Sequence, residues 1–190
     1  MSELKTGKRN FKEELAANMA DLDKKRGMVK LNGELRKRIL EIYAGNSEGT
    51  IATVRPDGWP QANVVDFWYI GLTLYFQSYE LSQKAVNIER DPRVSVTITP
   101  PFNDFGEMTG ISMAARAERV TDRTQIGDMY HLFLERLPHM KQFAQYEGNK
   151  VYPAPGMAVF CIRPEIVSML DFTKGYGHID LIRIDEDDVI

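Results

Sequence analysis

The apolar positions change period at Gly49. Before it they recur at helical spacing. Within the charged, weakly patterned residues 1 to about 33, Phe11, Leu15, Met19 and Leu22 predict a loose amphipathic helix. Glu34 to Tyr43 predicts a firmer one, with Leu35, Ile39, Leu40 and Tyr43 on one stripe and Gly45 as its stop. After Gly49 the period is two. Thr50 to Arg55 is a strand, and Pro56-Asp57-Gly58 is a turn in which proline presets φ and glycine accepts a positive one. Gln61 to Ile70 and Thr73 to Ser78 complete an antiparallel meander, with a tight turn at Gly71. A short helix over Ser82 to Arg90 closes at Asp91-Pro92. Val94, Val96 and Ile98 then alternate with Ser95, Thr97 and Thr99, a strand with one buried face.

The second half repeats these signals. Phe102 to Thr109 reads as a loop and Gly110 to Val120 as a strand. Thr124 to Leu137 carries the clearest helical stripe, through Ile126, Met129, Tyr130, Phe133, Leu134 and Leu137, and Pro138 breaks it. Met157 to Ile162 and Glu165 to Leu170 read as two last strands split by Pro164, with a glycine-rich and then acidic tail from Phe172. Six or seven antiparallel strands with inserted helices predict an α+β fold, a small closed or nearly closed barrel with flanking helices. The domain runs over residues 34–171, between an N-terminal extension (1–33) and a C-terminal tail (172–190).

Composition narrows the functional classes. With 190 residues, 43% hydrophobic and 27% charged, the chain suits one globular domain. A net charge of -3 offers no basic footprint for nucleic acid, and no apolar run approaches the roughly 20 residues that span a bilayer. The polar start, Met1 to Lys8, lacks the apolar core of a signal peptide, and a single cysteine, Cys161, suits a reducing compartment. A cytoplasmic location is the expectation.

Several motifs carry little. Gly175-Tyr176-Gly177-His178 lacks the third glycine and the flanking strand and helix of a dinucleotide loop. His131, His139 and His178 lie at unrelated spacings, which argues against a metal site. Cys161 sits mid-strand as a buried inert thiol, and Asp185 to Asp188 read as a solvated run. No residue stands out as an acid or base, and the role of Phe172, Lys174 and Tyr176, a candidate lid, is open.

The informative stretch is Phe76-Gln77-Ser78-Tyr79-Glu80-Leu81-Ser82-Gln83-Lys84, where a strand ends and a helix begins. A helix start has unpaired N–H groups and a partial positive charge, so it can receive an anion. Ser82 either caps this helix or gives its hydroxyl to a phosphate oxygen. Lys84 is either a solvated side chain or a first-turn cation whose conflict with the helix dipole an anion would relieve.

A series of short motifs adds to this reading. Gly49-Thr50-Ile51-Ala52-Thr53-Val54 precedes Asp57-Gly58-Trp59-Pro60 and Leu74-Tyr75-Phe76-Gln77-Ser78. Then come Ser82-Gln83-Lys84, Asn87-Ile88 and Asp91-Pro92-Arg93-Val94-Ser95-Val96. In this order and spacing they resemble the flavin-binding half of the pyridoxamine 5′-phosphate oxidase superfamily. The resemblance implies an FMN-binding split β-barrel and a homodimer, with each FMN site built from both subunits; Trp59, Phe67, Trp68 and Tyr69 either supply aromatic surface for it or are internal core. It places Asn63, Val64, Val65 and Asp66 beside the flavin ring and ribityl chain. Gln77 and Ser78 fall where the third strand meets the cofactor, and Ser82, Gln83 and Lys84 fall on the phosphate clasp.

The chain also departs from the oxidases. They usually carry arginine where this chain has Asn63 and Gln83, lysine where it has Trp68, and a basic C-terminal signature absent here. The resemblance therefore extends to FMN and not to pyridoxamine phosphate as substrate. Arg90, Arg93 and Arg116 are the candidates to replace the missing cations. Two functions are open: an FMN-dependent oxidoreductase acting on a small molecule, or a non-catalytic module that binds or carries flavin, deazaflavin or haem. An empty barrel acting as an interaction domain is a third.

Overall fold

A computed structural model describes residues 27–141 and 152–189. The helix expected around Phe11 to Leu22 lies outside them. The elements in order are β1 (Val29–Lys30), α1 (Gly33–Ala44), β2 (Glu48–Val54), β3 (Pro60–Asp66), β4 (Trp68–Ile70), β5 (Thr73–Tyr79), α2 (Gln83–Arg90), β6 (Arg93–Ile98), β7 (Thr109–Arg119), α3 (Arg123–Arg136), β8 (Met157–Asp171) and β9 (Ile179–Arg183). Short 3₁₀ turns join several of them. The strands form one nine-stranded sheet in the order β1-β9-β8-β7-β6-β2-β3, with β5 pairing to β8 and β4 to β5. All pairings are antiparallel except that of β1 with β9. The sheet curls without closing: among the described residues β3 pairs only with β2, while β5, the next long strand, pairs with β8. This is the α+β split barrel.

Three boundaries differ from the sequence reading, each for a physical reason. The single strand expected over Gln61 to Ile70 breaks at Phe67, whose N–H donates to Ser47 O at 2.9 Å. Before the break the chain pairs with β2, and after it Trp68 pairs with Tyr75 of β5. The strand is divided between the two lips of the split. Pro164 does not divide β8, because the register with β7 shifts between Ala114 and Ala115 and leaves Glu165 as the extra residue. A proline without an N–H is tolerated at such a bulge, and Glu165 O accepts from Ile184 N at 3.0 Å. Finally, the segment after Phe172 contributes β9, with Ile182 and Ile184 buried. The apolar alternation there is short and runs straight into carboxylates, which hides it in the sequence.

Two apolar clusters lie on opposite faces of β5 and β8. Inside the barrel, Leu74 and Phe76 of β5 meet Phe160 and Ile162 of β8 together with Ile51, Val96, Ile111 and Met113. The Phe76 and Phe160 rings stack at 5.2 Å. Helix α1 plugs one end with Leu35, Ile39, Ile42 and Tyr43. Outside, Trp68, Tyr75, Val159 and Cys161 are covered by Ile126, Met129 and Phe133 of α3 and by Leu137 just after it. A strand buried on both faces reads as a continuous apolar run, as Leu74-Tyr75-Phe76 does. Among the described residues no helix is long and apolar enough to cross a membrane.

Asp171, 1% exposed at the end of β8, ties α1 to the sheet. Its carboxylate accepts from Arg38 Nη2 at 3.0 Å and from the Thr173 backbone N–H at 3.1 Å and hydroxyl at 2.5 Å. Burial alone would raise its pKa, but the hydrogen bonds from Thr173 and the Arg38 guanidinium outweigh it and hold the carboxyl below its ordinary range.

This packing can be probed at two residues. Phe160→Ala removes a ring packed in the barrel centre and should cost about 3–5 kcal/mol, read from the urea midpoint at constant slope. For Asp171, a carboxyl whose folded value lies below its unfolded one adds stability that is fully present above the unfolded value, near pH 4, and is lost as the pH falls through the folded value. Asp171→Asn should therefore destabilise the protein at pH 7, and its stability should fall less steeply than the parent's below about pH 4 in thermal melts.

Candidate functional site

The end of β5 and the start of α2 build the most chemically distinctive corner of the barrel. Ser78, 5% exposed on β5, and Ser82 bring their hydroxyl oxygens to 2.9 Å, sharing a hydrogen bond. Ser82 has extended backbone and is the N-cap of α2; its Oγ accepts from Ala85 N at 3.4 Å. The N–H groups of Gln83 and Lys84, in the same first turn, have no carbonyl one turn earlier within the helix. Lys84 is half-buried and, among the described residues, has no ion pair or side-chain hydrogen bond. The corner thus offers a serine pair with one hydroxyl proton free, a helix start and, among the described residues, an uncommitted ammonium, a combination suited to an anion.

Arg119, at the end of β7, pairs with Glu80, just before α2, at 2.7 Å and with Glu89 of α2 at 3.3 Å, so its single charge offsets part of theirs.

The Gln83 side chain is drawn along α2. Its Nε2 donates to Asn87 Oδ1 at 2.8 Å, one turn along the helix. Asn87 is fully buried and donates from Nδ2 to Thr53 Oγ1 at 2.9 Å and to Gln61 Oε1 at 3.2 Å. This amide network joins β2, β3 and α2, and all three hydrogen bonds of the Asn87 side chain are made inside the protein. Leaving such a group without its partners costs about 1–3 kcal/mol. The sequence offers one trace of it, the i, i+4 spacing of Gln83 and Asn87 on a helix; Thr53 and Gln61 carry no signal of their own.

The arginines considered as replacement cations are engaged elsewhere. Arg90 donates to Val54 O at 2.8 Å and Arg55 O at 2.9 Å. Arg93 pairs with Asp91, and Arg116 with Glu165, both at 2.7 Å. None of these contacts lies on the first turn of α2.

On β3 the candidate ring-lining residues divide between two faces. Val65 is buried in the barrel core and Asn63 is half-buried on the same side of the strand, while Val64, 66% exposed, and Asp66 point away. One flat ligand cannot meet all four side chains, but it can meet the backbone edge of β3 on the side away from β2, which has no strand partner among the described residues. Gln77 is half-buried and faces opposite to Ser78 along β5. Trp68, at the position where a lysine is usual, is fully buried beneath α3, stacked on Tyr75 and edge-on to Phe133. Exposed apolar side chains lie on β3, the end of β5, α2 and the turns beside them: Trp59 (71%), Val64, Tyr79, Leu81 and Val86.

The comparisons with known proteins agree with this architecture. General stress protein 26 of Bacillus subtilis is 27% identical over 139 residues, covering 73% of this chain and 89% of that protein. A haem-binding protein from Mycobacterium smegmatis superposes with a TM-score of 0.65 at 21% identity, over 82% of this chain; the match spans 60% of that protein's length. An FAD-binding protein from Mesorhizobium loti gives a TM-score of 0.55 at 20% identity, over 73% of this chain and 94% of that one. At these identities the structural matches carry the fold. The pyridoxamine 5′-phosphate oxidase family model matches residues 35–171, from the first turn of α1 to the end of β8. The chain belongs to the pyridoxamine 5′-phosphate oxidase family.

Proposed function

We propose that the chain is an FMN-binding flavoprotein, an FMN-dependent oxidoreductase acting on a small molecule in the cytoplasm as a homodimer. The observation that carries the proposal is the corner at the start of α2. There the Ser78 and Ser82 hydroxyls lie 2.9 Å apart beside Lys84, which has no ion pair among the described residues. These residues fit a phosphate monoester: the serine pair, whose mutual hydrogen bond leaves one hydroxyl proton free, and the first-turn N–H groups donate, and Lys84 supplies charge. The free edge of β3 fits the ring, because unpaired strand amides and carbonyls match the polar rim of an isoalloxazine and Val64 offers an apolar wall. Bound FMN would supply the hydride or electron transfer. The chain's part is to hold the phosphate, align the ring along β3 and keep the Glu80 and Glu89 charges paired to Arg119.

Replacement of the lysine of the oxidases by Trp68, sealed under α3, supports a substrate other than pyridoxamine phosphate. The exposed Trp59, Val64, Tyr79, Leu81 and Val86 support the dimer, since apolar side chains beside a free edge strand are what a partner subunit covers.

A visible absorption spectrum with FMN titration tests the cofactor. Flavin bands or saturable FMN binding, weakened about tenfold by Lys84→Ala, are expected. A Soret band in place of flavin bands would make the haem-binding reading the correct one, and the absence of both would overturn the site. For the assembly, sedimentation should show a dimer that Val64→Arg converts to monomers with weaker FMN binding. A monomeric parent at micromolar concentration would overturn the shared site.

A further inference from the structure

The side chain of Asn87 makes all its hydrogen bonds inside the protein, so it has no binding chemistry of its own. We infer that Asn87 is a positioning residue that sets the phosphate end of the cofactor site relative to the ring end. The inference rests on the FMN reading. Asn87 is 0% exposed, so it touches no ligand. Its Nδ2 grips β3 through Gln61 and β2 through Thr53, and its Oδ1 holds the side chain of Gln83 in the first turn of α2. Gln61 stands on the same strand as Asn63 to Asp66, proposed to lie beside the ring and ribityl chain, and Gln83 stands beside Ser82 and Lys84. One buried amide therefore spans the two halves of the site.

The same contact explains how an uncharged residue serves at a position where an arginine is usual in the oxidases. The bond to Asn87 at 2.8 Å takes one of the two N–H donors of the Gln83 amide and draws the side chain along the helix. Gln83 acts on the site through the seat of the helix, and Lys84 with the serine pair acts on the anion.

FMN and riboflavin, which differ by the phosphate alone, separate positioning from general loss of structure. Both are titrated into the parent and into Asn87→Ala, Gln83→Ala and the double variant. The expected result is an FMN dissociation constant about tenfold higher for Asn87→Ala, with riboflavin changed less than about twofold. Because Gln83 acts through Asn87, the double variant should match Asn87→Ala alone; interacting residues are non-additive in this way. Equal losses for FMN and riboflavin, or additive effects of the two substitutions, would overturn the inference. Should Asn87→Ala fail to fold, Gln61→Ala, at a half-buried position, should give the same selective loss, and an unselective one would overturn it. A parent that binds riboflavin and FMN equally would remove the phosphate clasp itself, and a parent that binds neither would remove the flavin reading; both are seen before any variant is measured.

Discussion

The pairing of β8 on both of its edges is the constraint on which the rest of the barrel depends. On one side β8 runs beside β7 from Phe160 to Asp171, and on the other it pairs with β5 through its first half and with β9 through its second. A strand in that position has no free edge, and its first half is covered on both faces as well. Residues there alternate between the barrel interior, where Phe160 stacks on Phe76, and the floor beneath α3, where Cys161 and Val159 pack under Phe133. Because β5 is held by β8, its last residues emerge at a fixed height, and Ser78 meets Ser82 across the turn that starts α2. The corner is thus a consequence of the ladder, at the point where β5 runs out of partners.

The same constraint separates what could be read in the sequence from what could not. Alternation in Val94, Val96 and Ile98, the stripe on α3 and the Pro56-Asp57-Gly58 turn are local signals, and each marks a real element. Gly58 has φ +85° in that turn, the conformation for which glycine was expected there. The break at Phe67, the continuity of β8 through Pro164 and the recruitment of β9 depend on which strand lies alongside, information that no short window contains. The site divides in the same way. Ser82 as a cap and Lys84 as a first-turn cation are legible from their place before and within a helix. The engagement of Gln83 by Asn87, and the loss of Arg90, Arg93 and Arg116 to other partners, are set by tertiary neighbours.

Charge placement around α2 carries a consequence for the family's chemistry in this chain. Arginines hold phosphate by paired, charge-assisted hydrogen bonds, whereas a lysine acts as a single compact charge. Here the amide network of Asn87 lies beneath the helix start, and Arg119 is committed to Glu80 and Glu89. An anion at this corner therefore meets Lys84, a pair of hydroxyls and the helix dipole. Charge at half-buried sites is screened by salt and weakened by solvent, so a phosphate here would contribute less to holding the proposed cofactor than it would between two arginines. The remainder must come from the apolar and backbone surface along β3, and Val64, exposed at that free edge, gains burial only when a second surface closes over it. On the proposed FMN reading, weak anchoring of the phosphate and reliance on a covering subunit would be two aspects of one arrangement, in which affinity shifts from charge to assembly.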